Sequence, residues 1–269
     1  MSKPLIHSQA NIKTKAAFTL IELSIVMVVI GLLVGSILIG QHLIHAAQLN
    51  AVSTEANRFG VAIMTFRDKY EAMPGDMKNA TEYWGAADGG DGFGSDCGDV
   101  ESETVTCNGN GDQIIPVTIE NEMWEKMRAW QHLSNAGLIT GSYTGAPTAG
   151  VAYVGKQWPA SRFEPAGYEY SNILIGIYRN PPSQIIKIAT SLASSATGLN
   201  GGFLTPKDAV DLDQKMDDGL SDSGKLVAID SSDVAGCVTN GVAYTETTYG
   251  SYMVENDSKS CRFYFYLGF

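Results

Sequence analysis

Between Leu23 and Ile44 the chain carries no Asp, Glu, Lys or Arg, and between Pro4 and Pro74 it carries no proline. The first absence excludes an ordinary solvated surface over 22 consecutive residues; the second removes the commonest cause of a helix break. Met1 to Ala17 holds Lys3, Lys13 and Lys15 but no acidic residue. Histidine is scarce, with only His7, His42, His45 and His132. No Gly-x-Ser-x-Gly elbow, P-loop or His-Glu-x-x-His occurs, so the chemistries those motifs carry are excluded and no enzyme is expected. The four cysteines, Cys97, Cys107, Cys237 and Cys261, contain no Cys-x-x-Cys spacing of the zinc kind. An even set, all beyond the apolar segment, fits disulfides in an oxidising compartment. Basic residues number 18 against 29 acidic, for a formal charge of -11; removing the +3 of Lys3, Lys13 and Lys15 leaves -14. A uniform phosphate-binding surface is excluded at that balance, and no nucleic acid is expected as a partner.

What is present is a single long helical pattern. Phe18 to Tyr70 reads as an unbroken helix of roughly 50 residues and about 80 Å. Its uncharged part, about 23–44, spans about 33 Å at ~1.5 Å per residue, the thickness of a bilayer core. Beyond it Leu49, Val52, Ala56, Phe59, Ile63, Phe66 and Tyr70 recur at spacings of three and four, which places them on one face against a folded domain. Pro74 and Gly75 stop the pattern and turn the chain. The basic, acid-free start predicts a cytoplasmic N-terminus with the bulk of the chain exported. A secretory signal needs a shorter apolar run and a small-x-small cleavage site after it, and neither is found. His42 and His45 then fall at the membrane exit, where they read as amphipathic side chains rather than metal ligands.

The basic segment ends in Lys15-Ala16-Ala17, followed at once by Phe18-Thr19-Leu20-Ile21-Glu22-Leu23. This register of charge, small residue, aromatic and Glu resembles the cleavage and methylation signature of type IV pilins and type II secretion pseudopilins. The resemblance implies a leader, 1–17, removed by a prepilin peptidase between Ala17 and Phe18, with N-methylation of Phe18. The family usually has Gly where Ala17 stands. The resemblance also implies that Glu22 acts in assembly and methylation, meeting the new ammonium of a neighbouring subunit. On physical grounds alone a carboxylate at the edge of an apolar run costs roughly 2.5 to 3.5 kcal/mol and needs a partner. The implied partners are other pilin-like subunits through the N-terminal helix, the prepilin peptidase, an inner-membrane assembly platform and the inner membrane itself. The implied location is the bacterial inner membrane, single-pass with a periplasmic C-terminal domain, and a filament after assembly. The competing class is a single-span anchor carrying a periplasmic binding or enzyme domain. The large exported domain, 72–269, favours a minor or specialised subunit.

The exported part predicts an α+β fold, an antiparallel β-sheet with additional helices against the second half of the N-terminal helix. Gly- and Asp-rich 87–112 reads as a surface loop closed by a Cys97–Cys107 bridge. The companion Cys237–Cys261 bridge pairs nearest neighbours, although four cysteines allow three connectivities. Asn108, Asn110 and Asp112 alternate as in the start of a calcium loop, but Gln113 and Ile119 stand where an EF-hand needs Gly and Glu, so a solvated turn is favoured. Thr118 to Ala136 predicts a helix closed by Gly137, with Met123, Met127 and Trp130 on its packing face. Strands are expected at 151–154, 168–178 and 184–188, and a half-buried one at the alternation Cys261, Phe263, Phe265, Leu267. Thr205-Pro206-Lys207-Asp208 predicts a capped helix ending by Gly219. Its acidic tail, Asp211, Asp213, Asp217 and Asp218, is a second calcium candidate, with Asp213 and Asp217 one turn apart, but Lys215 beside them and solvation again favour a plain solvated helix end. No other cofactor is expected.

Overall fold

The computed structural model describes residues 19–87, 97, 100–115, 123–148, 151–173, 183–192, 198–239 and 250–268. The cut between Ala17 and Phe18, the helix start at Thr118 and the strand continuation past Ile173 lie outside these. The chain forms two compact units, 1–46 and 47–269.

Helix α1 runs from Leu20 to Tyr70, 51 residues without interruption. It ends before Pro74 because Glu71 adopts the left-handed conformation (φ 53°), its N–H still bonded to Arg67 O at 2.8 Å. In the first unit every described residue before Ala46 other than Thr19 is helical. The apolar side chains there are open to solvent, Leu20 at 89%, Ile39 at 72% and Leu43 at 70% exposure.

In the second unit the striped face of α1, from Leu49 to Phe66, is buried. Further helices described are α2 (Ala80–Trp84), α3 (Met123–Asn135) and α4 (Pro206–Met216). The strands are β1 (Gly167–Ile173), β2 (Ser183–Ser191), β3 (Leu199–Gly201), β4 (Leu226–Asp230) and β5 (Cys261–Tyr266). They form one five-stranded sheet in the order β1-β2-β5-β4, with β3 also paired to β2. All its pairings are antiparallel, as in Tyr168 against Ile188, Ile186 against Phe265 and Ala228 against Phe263. The fold is therefore α+β.

One hydrophobic core gathers Val52, Phe59, Ile63 and Phe66 of α1, Met127, Trp130 and Leu133 of α3, and Tyr168, Ile188 and Phe263 of the sheet. Phe59 sits edge-on between Trp130 (5.0 Å) and Tyr168 (4.9 Å), the geometry aromatic quadrupoles favour. The opposite sheet face has its own small cluster of Ile185, Val227, Ile229 and Tyr264. That corrects the expectation of a half-buried last strand: Arg262 and Tyr264 are buried as well as Phe263 and Phe265.

The expected strand at 151–154 is not formed. Only single bridges occur, Thr148 with Val151 and Val154 with Trp158. The backbone is satisfied locally instead. Tyr153 N–H donates to Gln157 Oε1 at 2.9 Å, and Gln157 Nε2 donates to Ala146 O at 2.7 Å. Helix α4 starts as predicted, with Thr205 Oγ1 accepting the Asp208 N–H at 3.2 Å and Pro206 in the first turn.

Candidate functional site

Thr19 and Glu22 open α1 by bonding each other. Thr19 N–H and Oγ1–H donate to Glu22 Oε2 at 2.9 and 2.8 Å, and Glu22 N–H donates back to Thr19 Oγ1 at 3.3 Å. This is a reciprocal capping box, which satisfies helix-start N–H groups that would otherwise have no acceptor. Thr19 lay in plain view three residues before Glu22, the spacing that marks such a box, but sequence reading had sought the carboxylate's partner in another subunit. After this start comes an 18-residue window that is 0% buried and apolar enough to cross a membrane.

The Pro-Gly-Asp turn after α1 and the 105–113 segment, two separate features of the sequence, are one structure. Asp76, itself 1% exposed, accepts the Gly111 N–H on Oδ1 and the Gln113 N–H on Oδ2, the latter at 2.7 Å. Burial raises its carboxyl above the usual range, against the lowering effect of those two donors. The first group of calcium candidates hydrogen-bonds backbone around this turn and at the start of α2. Asn108 Oδ1 accepts Thr81 N–H at 2.9 Å, Asn110 Oδ1 accepts Asp112 N–H at 2.8 Å and Asp112 Oδ1 accepts Ile114 N–H at 2.8 Å. Each of these oxygens accepts a backbone N–H, as in a solvated turn. Gly109 is required here: a Cβ would stand 2.3 Å from Asp76 Cα.

Helix α3 fixes this region from inside with polar side chains that the sequence had not singled out. Arg128 NH2 donates to Cys97 O and Val100 O, both at 2.9 Å, and Gln131 Nε2 donates to Val105 O at 2.9 Å and to Ser102 O. The Cys97–Cys107 disulfide is formed, and both cysteines are buried. So the described part of the expected surface loop keeps exposed side chains at Glu101, Glu103, Thr104, Asn110 and Asp112, and is tied to the interior where four carbonyls are capped by two buried side chains. His132 completes the arrangement. Its Nδ1 accepts the Gly75 N–H at 2.9 Å, so its proton sits on Nε2, 2.9 Å from Thr106 Oγ1, whose hydroxyl donates to Gln131 Oε1 at 2.6 Å. Burial, with the charge of Arg128 adding to it, pulls His132 down to about 3.

A second buried polar group spans the sheet. Glu169, fully buried, meets Lys187 Nζ at 2.9 Å and Lys126 Nζ at 3.4 Å and accepts the Leu199 N–H at 2.7 Å. Arg262 joins through Asn200, donating to its Oδ1 at 2.6 Å. Burial alone would raise the Glu169 carboxyl, but the two ammonium groups hold it well below the usual range. The only signal for this group in the sequence is charge at positions of strand alternation.

The Cys237–Cys261 disulfide is also formed and joins a loop to the first residue of β5. Of the residues named from sequence, Glu22 is thus engaged by Thr19, the cysteines pair in two bridges, and Asn108, Asn110 and Asp112 serve a turn. Of the acidic run at the end of α4, Asp213, Asp217 and Asp218 come together, and Asp211 does not join them. The His42–His45 pair joins no metal-type group among the described residues. Met123 and Trp124 begin α3, and Trp130 packs in the core. No family model, curated protein or solved structure matches this chain.

Proposed function

We propose that this chain is a pilin-like structural subunit. In this reading a prepilin peptidase removes residues 1–17 and the apolar start of α1 is held in the inner membrane until it packs against the same segment of neighbouring subunits in a type IV pilus or type II secretion pseudopilus. The observation that carries the reading is the division of one helix: wholly solvent-open apolar side chains up to Ile44 and a buried stripe from Leu49 on. A helix built only for its own domain has no use for the 17 large apolar side chains exposed between Leu20 and Ile44. The second half of α1 lies along the sheet, as Phe59 on Tyr168 suggests. The size of the domain favours a minor or specialised subunit.

The capping box favours a second reading, a single-span anchor for a periplasmic binding domain, since it gives Glu22 a partner within its own chain. Peptide mass analysis of the mature N-terminus from a host with a prepilin peptidase separates the two. N-methyl-Phe18 is expected; an N-terminus still at Met1 refutes the subunit reading.

A further inference from the structure

The last turn of α4 and the loop after it bring three carboxylates together. One oxygen from each of Asp213, Asp217 and Asp218 lies within 4.8 Å of the others. Asp213 is 0% exposed. Its Oδ2 accepts the Tyr252 hydroxyl at 2.7 Å, but its Oδ1 is buried and completes no hydrogen bond among the described residues. An orphaned carboxylate oxygen inside a protein is costly.

The surroundings make the negative charge worse. Asp217 is the C-cap of α4, its N–H bonded to Asp213 O, so all three carboxylates stand at the end of the helix where backbone carbonyls already concentrate negative potential. None of the ion pairs among the described residues reaches them. Burial pushes Asp213 up to about 7, with the Tyr252 hydroxyl and the Gly219 backbone N–H opposing and the charges of Asp218 and Asp217 adding to the rise. Packing does not explain why three acids converge on this point; a cation answers the orphaned oxygen, the mutual repulsion and the helix end together.

We propose that Asp213, Asp217 and Asp218 bind a divalent cation of the hard, oxygen-preferring class, calcium, with Asp213 Oδ1 as the buried ligand. The donor set is all oxygen, as calcium prefers. The two loop carboxylates are held in place from outside the cluster. Asp217 Oδ2 accepts the Leu226 N–H at 3.2 Å and that of Lys225, while Asp218 accepts the Leu220 N–H at 2.9 Å and the Ser223 hydroxyl at 2.6 Å. A carboxylate oxygen with one donor keeps a lone pair for a metal. The bound cation would tie the end of α4 to the start of β4, and through Tyr252 to the loop that precedes β5. This inference stands whether or not the chain assembles into a filament.

The test is thermal unfolding of the full chain in detergent micelles, stripped with a chelator and titrated with calcium chloride or, separately, magnesium chloride. Wild type is expected to rise by roughly 5 to 10 °C once calcium is about 100-fold above its Kd, and to respond less to magnesium, which holds its water and demands stricter octahedral geometry. Asp213→Asn is expected to lose the calcium shift while melting no lower than wild type without calcium, because it removes an uncompensated buried charge. A role as a plain structural acid predicts the reverse, a drop without calcium. Asp218→Asn, at an exposed position, gives the same readout should Asp213→Asn not fold. A wild-type melting temperature unmoved by calcium, or a folded variant that shifts as far as wild type, overturns the proposal.

Discussion

His132 Nδ1 accepts the Gly75 backbone N–H at 2.9 Å across 57 residues of sequence, so the turn that ends α1 is fixed by the ring of a histidine in α3. That bond requires an unprotonated Nδ1, and the ring is fully buried. The folded state holds His132 at about 3, whereas an unfolded histidine titrates near 6.5. Between those values the unfolded chain binds more protons, so stability is complete above about pH 6.5 and falls with pH below it, by up to about 1.4 kcal/mol per unit from this group. Denaturation midpoints measured from pH 7 to 4 should show that slope in wild type. In His132→Asn, which keeps an acceptor for Gly75, the slope should be shallower and the stability at pH 7 lower. Parallel pH profiles would refute the assignment.

Among the described residues Glu169 is the only carboxylate in an ion pair with the buried Lys126 and Lys187. Glu169→Gln should therefore destabilise by about 3 to 5 kcal/mol, since it leaves Lys126 and Lys187 buried without a counter-charge. The loss should be nearly independent of salt, because the pair is shielded from ions in solution. A loss under 1 kcal/mol in chemical denaturation would show that water reaches the lysines.

Glu22→Gln separates the two roles open to this residue. Gln fills the same place in a capping box, so the start of α1 and membrane retention should be unchanged. The charge is nevertheless gone, and shear fractions should contain no filament if a neighbour's ammonium needs it. Thr19→Ala does the opposite: it removes the box, costing about 1 kcal/mol of helix stability, and keeps the carboxylate. Equal filament recovery from wild type and Glu22→Gln assigns Glu22 to capping alone.

The two bridges close loops of different length, 10 residues for Cys97–Cys107 and 24 for Cys237–Cys261. Loop entropy predicts that removing the second as a Cys→Ser pair costs about 3.5 kcal/mol and the first about 2.7 kcal/mol. Non-reducing peptide maps should show these two links, and melting curves of the two double variants should rank in that order.

Gly75→Ala tests a close backbone approach. A Cβ there would stand 2.1 Å from Glu125 O, at a residue whose φ is +92°. Clash and strain act together, so the variant should lose more than the ~1 kcal/mol of an ordinary glycine replacement, seen as a depressed melting temperature of the domain. A melting temperature within a degree or so of wild type would show that α3 can move away.

The parts of this molecule legible in its sequence are those set by short-range rules. The stripe from Leu49 to Phe66 follows helix periodicity, Thr205-Pro206 caps α4 with a local bond, and Cys261 to Tyr266 alternates as a strand does. What was not legible depends on partners distant in sequence. Arg128, Gln131 and His132 look like the polar side of an amphipathic helix, and only the fold shows that the carbonyls of 97–105 are waiting for them. Gln157 overrode the strand pattern of 151–154 in the same way, by supplying hydrogen bonds that a neighbouring strand would have made. Thr19, three residues before Glu22, carries the capping-box spacing in the sequence itself.

The strand order β1-β2-β5-β4 fixes when folding can finish. β5 is the last strand in sequence yet lies between β2 and β4, and Cys261 at its start closes the second disulfide. A chain that emerges from a ribosome or a translocation channel N-terminus first thus presents both inner edges without their common neighbour until its final strand is free. The sheet cannot be completed piece by piece, so any factor that guards it against aggregation must hold on until the last strand has come out.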